Sequence, residues 1–141
     1  DVRFFYFFVN LQELDLSWNN LSDITDLPEL KHLTKLDLSY NFISEIQVLS
    51  SYTNLTELSL RANNIEVLTK VTGAGSPENT TVSQIKSVFA GLSKLCRLDL
   101  SYNMLTDVSE FSGLSGLEYL NLEGNRITDL SAVEFVPELI R

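Results

Sequence analysis

A chain of 141 residues with 44% apolar side chains has enough material for a buried core, which excludes wholesale disorder. Its formal charge of −9, from 19 acidic against 10 basic residues, argues against nucleic acid or an anionic membrane as partner, since both recruit basic faces. The single cysteine, Cys96, cannot close a disulfide within the chain, so a reducing, cytoplasmic compartment is expected.

In chain order, the first element is the apolar run Phe4-Phe5-Tyr6-Phe7-Phe8-Val9, far too short to cross a bilayer. Val2, Phe5 and Phe8 stand 9, 6 and 3 residues before Leu11, as Ile24, Leu27 and Leu30 stand before Leu33. Residues 1–10 therefore read as the second half of a repeat. From Leu11 the frame L-x-x-L-x-L-x-x-N-x-(L/I) runs to Leu21, and it returns from Leu33, Leu55, Leu95 and Leu117. The starts are spaced 33−11 = 22, 55−33 = 22, 95−55 = 40 and 117−95 = 22. Leu139 lies another 22 residues on and reads as the start of the next unit. With both ends falling inside a repeat, the chain is expected to be a segment of a longer protein, flanked by further segments of it.

Within each unit the x-L-x-L-x stretch alternates with period two, which suits a strand with one buried face. Stacked copies predict a parallel sheet with Leu14/Leu16, Leu36/Leu38, Leu58/Leu60, Leu98/Leu100 and Leu120/Leu122 pointing inward. The second half carries apolar residues at threes, as in Leu21, Ile24, Leu27 and Leu30. That spacing predicts helical or 3₁₀ turns closing the coil on the other side. The Asn column (Asn19, Asn41, Asn63, Asn103, Asn125) occurs where the chain leaves the strand. An amide both donates and accepts, so these residues are expected to satisfy buried backbone groups there. The one break in the period is an insertion over 69–88, rich in Gly, Ser, Thr and Asn, expected to leave the solenoid as a loop.

Stacking turns repeat positions into columns, and the outward strand positions form the surface on which solenoids grip partners. The candidate partner-binding residues are Asp15, Asp37 and Asp99, the aromatic file Trp18, Tyr40 and Tyr102, and Arg61, Arg97 and Tyr119. Neighbouring carboxylates repel unless a cation lies nearby, which suggests a protein partner with a basic surface. Aromatics beside them add contact area in the manner of interface hot spots.

The frames Leu95 to Val108 and Leu117 to Leu130 resemble the leucine-rich repeat family, in its 22-residue subclass. That subclass includes a regulatory subunit of protein phosphatase 1 and the axonemal dynein light chain. The resemblance covers nearly the whole chain and implies an α/β solenoid, a right-handed coil with a parallel β-sheet on the concave face and short turns on the convex face. It implies a protein–protein interaction scaffold in a cytoskeletal, ciliary or phosphatase-regulating setting. Bacterial surface internalins share the period, and Val88-Phe89-Ala90-Gly91-Leu92 resembles an extracellular receptor repeat. The alternative is therefore an extracellular recognition ectodomain. Three triplets, starting at Asn20, Asn54 and Asn79, fit the glycosylation acceptor pattern that reading requires.

Chemistry beyond binding finds no support in the sequence. Gly73-Ala-Gly75 lacks the third glycine of a dinucleotide loop. One His and one Cys make neither a zinc cluster nor a nucleophile–base pair. No catalytic residue, cofactor or metal is expected.

Overall fold

The computed structural model describes residues 2–66, 69–71 and 85–141. Its strands are β1 (Glu13–Asp15), β2 (Lys35–Asp37), β3 (Glu57–Ser59), β4 (Thr69–Val71), β5 (Ile85–Ser87), β6 (Arg97–Asp99), β7 (Tyr119–Asn121) and β8 (Glu138–Ile140). Six of them form one parallel sheet in the order β1-β2-β3-β6-β7-β8, and β4 pairs with β5 alone. Each strand is only three residues long because the repeat allots it one x-L-x unit. The central leucines align in a single row, Leu14, Leu36, Leu58, Leu98, Leu120 and Leu139. One face of the sheet thus rests on the core, and the other carries the polar residues that flank each leucine.

The triplet spacing has a direct hydrogen-bond counterpart. In the second complete repeat, Leu49 N–H donates to Ile46 C=O, Tyr52 to Leu49 and Leu55 to Tyr52. Three successive i→i−3 links carry the chain from the convex side back to the next strand, each burying one apolar side chain. Two such turns pack closely at Gly91, where a Cβ would come within 2.6 Å of the Ser50 carbonyl oxygen. The glycine of the V-F-A-G-L segment is thereby explained by the approach of two 3₁₀ turns, Gln47–Ser51 and Val88–Gly91.

The register corrects the expected start of the last repeat at Leu139. Leu139 pairs with Leu120, not with Leu117, so the position equivalent to Leu117 is the buried Val136. The final unit is 136−117 = 19 residues long. Its return path has only two of the three-residue links, Val133 to Leu130 and Val136 to Val133. One step of three is missing, and 22 becomes 19.

The insertion is also modified at its ends. Thr69–Val71 and Ile85–Ser87 form an antiparallel ribbon, and Val88 is buried as part of the following turn rather than belonging to the loop. The stretch between them, with Asn79, lies outside the described residues. The solenoid is not interrupted, because β3 pairs directly with β6.

The Asn column does what a donor–acceptor side chain permits. Asn63 Oδ1 accepts from Ile43 N–H at 2.9 Å, while its Nδ2 donates to the carbonyls of Leu38 at 3.0 Å and Leu60 at 3.1 Å. Asn41, Asn103 and Asn125 repeat the pattern, each bridging its own turn to the preceding repeat. Among the described residues no buried side-chain polar atom lacks a partner. Replacing Asn103 with Ala strands the Ile65 N–H and takes one of two amide donors from each of the Leu60 and Leu100 carbonyls, which keep Asn63 and Asn125, and should cost about 1–3 kcal/mol in urea unfolding.

Tyr52 stands where Leu30, Leu92 and Leu114 stand in their repeats, and its buried hydroxyl donates to the Pro28 carbonyl at 2.5 Å. Burial first, and the Glu29 carboxylate second, push its phenol far above the ordinary tyrosine value of 10.0. The unfolded phenol therefore ionises first, so this contribution to stability is intact below about pH 10 and declines as pH rises beyond it. Comparing unfolding of wild type and Tyr52→Phe between pH 8 and about 11 should show a steeper alkaline decline in the wild type.

Candidate functional site

The open face of the sheet forms a groove of about 550 Å³, lined by the residues flanking each strand leucine from Glu13 to Tyr119. One column runs Glu13, Lys35, Glu57, Arg97, Tyr119, and the next runs Asp15, Asp37, Ser59, Asp99, Asn121. Lys35 Nζ sits between Glu13, at 3.8 Å, and Glu57, at 3.3 Å. Farther along, the Arg97 guanidinium lies 4.3 Å over the Tyr119 ring. These are surface contacts of modest energy. They leave Lys35 and Arg97 exposed and Tyr119 half-exposed in the groove.

The aspartates have work inside the chain that the charge argument from sequence did not include. Asp37 Oδ1 accepts from the Ser39 N–H at 2.8 Å and from its hydroxyl at 2.5 Å. Asp99 does the same with Ser101, at 2.9 and 2.6 Å. Asp15 accepts from Ser17 N–H at 2.8 Å, and bonds from Ser17 hold its carboxyl below the usual range. Asn121 performs the same service for Glu123 N–H at 3.0 Å without a charge. The last strand residue, Asp15, Asp37, Asp99 or Asn121, thus pins the start of the turn that follows the strand. Donors within the turn stabilise each carboxylate without help from a partner.

The next residue but two adopts the left-handed conformation in every complete repeat. Trp18, Tyr40, Ala62 and Tyr102 have φ of 57°, 55°, 52° and 56°, and Gly124 has 70°. Left-handed backbone costs a non-glycine residue about 1–2 kcal/mol. In four of the five the Asp or Asn behind and the column Asn ahead hold it with hydrogen bonds on both sides; at Ala62, with Ser59 behind, the column Asn63 does so from ahead. The glycine at 124, in the same column as two tyrosines and a tryptophan, was the sequence signal for this feature.

This bend throws the side chains onto the rim of the groove, where they form a ladder. Trp18 stacks on Tyr40 with centroids 3.8 Å apart and planes 9° from parallel. Ala62 supplies no ring, and Arg61 occupies the gap. Its guanidinium lies 4.4 Å over Tyr102 and 5.7 Å from the centre of Tyr40. Its Nε donates to the Tyr40 hydroxyl at 2.9 Å and its Nη1 to Ser101 Oγ at 2.8 Å. The Tyr102 hydroxyl then donates to Glu123 Oε1 at 2.8 Å, which raises the pKa of that phenol. Gly124 makes room beneath Tyr102, since a Cβ there would meet the ring at 2.8 Å.

The nine candidate residues therefore separate into two sets. Asp15, Asp37, Asp99, Arg97 and Tyr119 line the groove, whereas Trp18, Tyr40, Arg61 and Tyr102 build the rim. Sequence reasoning missed the serines that bind the aspartates, Glu123 as a ladder member, and Arg61 as the bridge between the tyrosines. Cys96 is half-buried, with Sγ 3.3 Å from the Thr56 carbonyl oxygen. Among the described residues no group of three or more His, Cys, Asp or Glu side chains converges as a metal site, and no helix is long and apolar enough to cross a membrane.

Comparison with known proteins places this geometry. A family model described as leucine rich repeat matches residues 79–136, and one described as leucine rich repeats in two copies matches 9–51 and 31–70. No curated protein matches the chain. Among solved structures, it is similar to an internalin, inlF, from Listeria monocytogenes, with 25% identity and a TM-score of 0.78 over 99% of this chain. It is also similar to inlC2 from the same organism, with 26% identity and a TM-score of 0.72 over 93% of this chain. The chain spans 37% and 51% of those two internalin chains.

Because Ala62 is held left-handed at φ 52°, Ala62→Gly should raise the unfolding free energy by about 0.5–1 kcal/mol, once relieved strain is set against glycine's larger unfolded-state entropy. Gly124→Ala should lower it through contact with Tyr102. Urea melts of the pair check both signs.

Proposed function

This chain belongs to the leucine-rich repeat family, and we propose that it is an interaction scaffold whose concave groove grips a partner protein. The observation that carries this reading is the groove itself: a face of about 550 Å³ presenting five carboxylates, Lys35, Arg97 and Tyr119 to solvent. Five carboxylates against two cations favour a partner segment with basic side chains. Arg97 and Tyr119 offer the stacked guanidinium and ring from which interface hot spots are made. The fold built from stacked strands supplies rigidity, so binding orders little of the scaffold and the entropy cost falls on the partner.

The setting we infer is intracellular, of the cytoskeletal, ciliary or phosphatase-regulating kind that the 22-residue subclass implies. Two features support it. Cys96 is a free thiol, and Asn54, one of the three acceptor triplets, has its amide tied to the Lys31 carbonyl at 2.7 Å and to Lys94 Nζ at 2.6 Å. The similarity to two internalins favours a second reading, an extracellular recognition domain, and glycan on Asn79 in native material would select it.

Crosslinking capture from the native source tests the groove. Arg97→Glu combined with Tyr119→Ala should reduce recovery of the captured partner about tenfold or more, while Lys31→Glu, away from the groove, should leave it unchanged. Equal recovery from both variants, with unfolding curves intact, would remove the groove from the account.

A further inference from the structure

Lys35, Arg61 and Arg97 lie in the groove or on its rim, and the chain itself engages the first two. Lys35 Nζ sits between Glu13 at 3.8 Å and Glu57 at 3.3 Å. Arg61 directs its donors to the Tyr40 hydroxyl and to Ser101 Oγ. Arg97 differs. Its guanidinium rests 4.3 Å over the Tyr119 ring, and among the described residues no side-chain hydrogen bond or ion pair reaches it. An aromatic face attracts a guanidinium by its charge and offers no oxygen lone pair, so the five N–H donors stay available. The neighbours of Arg97 in its column are Glu57, which is engaged by Lys35, and Tyr119, which carries the guanidinium.

A seated guanidinium with open donors fits a carboxylate, which meets the planar fork with two parallel hydrogen bonds. Two observations narrow the ligand. Glu57 flanks Arg97 one strand away, at roughly 4.8 Å between backbones, and Asp99 lies two residues on along β6, lining the same groove. A phosphate dianion beside these two carboxylates meets about twice the repulsion that a carboxylate meets. β6 also has a strand on each side, β3 and β7, so a segment laid across the sheet passes over Arg97 rather than ending on it. The arriving group is then a side chain and not a chain terminus. We propose that Arg97, seated on Tyr119, is a carboxylate-accepting position filled by an aspartate or glutamate side chain of the partner protein. The partner segment thus carries an acidic residue among the basic ones that the groove carboxylates favour. That the carboxylate belongs to a partner rests on the scaffold reading above; the affinity of Arg97 for a carboxylate does not.

Arginine Nε–H resonances read the position directly. The ¹⁵N-labelled protein is titrated with sodium acetate and, at matched ionic strength, with sodium chloride and with inorganic phosphate. The Arg97 resonance should shift saturably with acetate, half-complete at a concentration at least about fivefold below that of the exposed Arg126. Arg61, whose Nε is held by the Tyr40 hydroxyl at 2.9 Å, should not respond. Tyr119→Ala should bring Arg97 to the level of Arg126, and Tyr119→Phe should restore it. A response of Arg97 no stronger than that of Arg126, tighter binding of phosphate than of acetate, or an unaltered response in Tyr119→Ala would overturn the proposal. A displayed library of random peptides then tests the partner. Wild type should enrich sequences with an acidic residue at a fixed spacing from basic ones, and Arg97→Gln should enrich basic sequences without it. Purely basic sequences on both proteins leave the groove reading intact and overturn this one. Enrichment that is absent, or unaffected by Asp37→Asn with Asp99→Asn, removes the groove reading and the partner's part of this proposal, while the acetate response stands apart. Asn121, which serves its own turn as the aspartates do, shows that the pair of substitutions keeps the turns.

Discussion

One amide per repeat holds this molecule together at the place where a solenoid is most exposed to error. As the chain leaves a three-residue strand it must reverse, and its backbone groups lose their ladder partners while still buried. The column asparagines answer with one acceptor and two donated bonds, each 2.9–3.1 Å long. Two of the three bonds reach back to the preceding repeat. The same side chain therefore closes its own turn and staples two repeats, which makes the stack cooperative between neighbours.

The functional surface is a by-product of that constraint. With the column Asn fixed at one end of the turn, and Asp or Asn at the other in four of the five repeats, the residue between them is held in left-handed backbone, and its side chain is thrown onto the rim. Where that side chain is aromatic a ladder grows, and where it is alanine the neighbouring Arg61 fills the space. The groove below keeps its charged groups in shallow, exposed contacts. Strain sits in the rim and freedom sits in the groove, a division that suits a rigid edge beside an adaptable binding face.

Most of the fold was legible because the repeat is a count. Leucine spacing set the strands, triplets set the turns, and the amide column announced its own role. The last repeat was misread because Leu139 happens to lie one full period after Leu117, while the chain had dropped one three-residue step; only the backbone pairing of Leu120 with Leu139 separates the two. The candidate site was legible as columns but not as contacts. Position alone put Asp15, Asp37 and Asp99 in the groove. It could not tell that their oxygens are engaged by serines two residues on, since that depends on the turn's dihedral angles. Gly124 carried that information in a single letter. The bridging role of Arg61 follows from the missing ring at Ala62, a consequence of stacking that no one repeat displays.

Hydrogen exchange at Leu21, Ile43, Ile65 and Leu105 tests the central claim most directly, because each of these N–H groups is held by the amide of the next repeat. The account predicts that Ile43 and Ile65 exchange as slowly as the strand amides beside them, and that Asn103→Ala accelerates Ile65 far more than Ile43. Fast exchange at all four in the wild type, or no selective change in the variant, would contradict it.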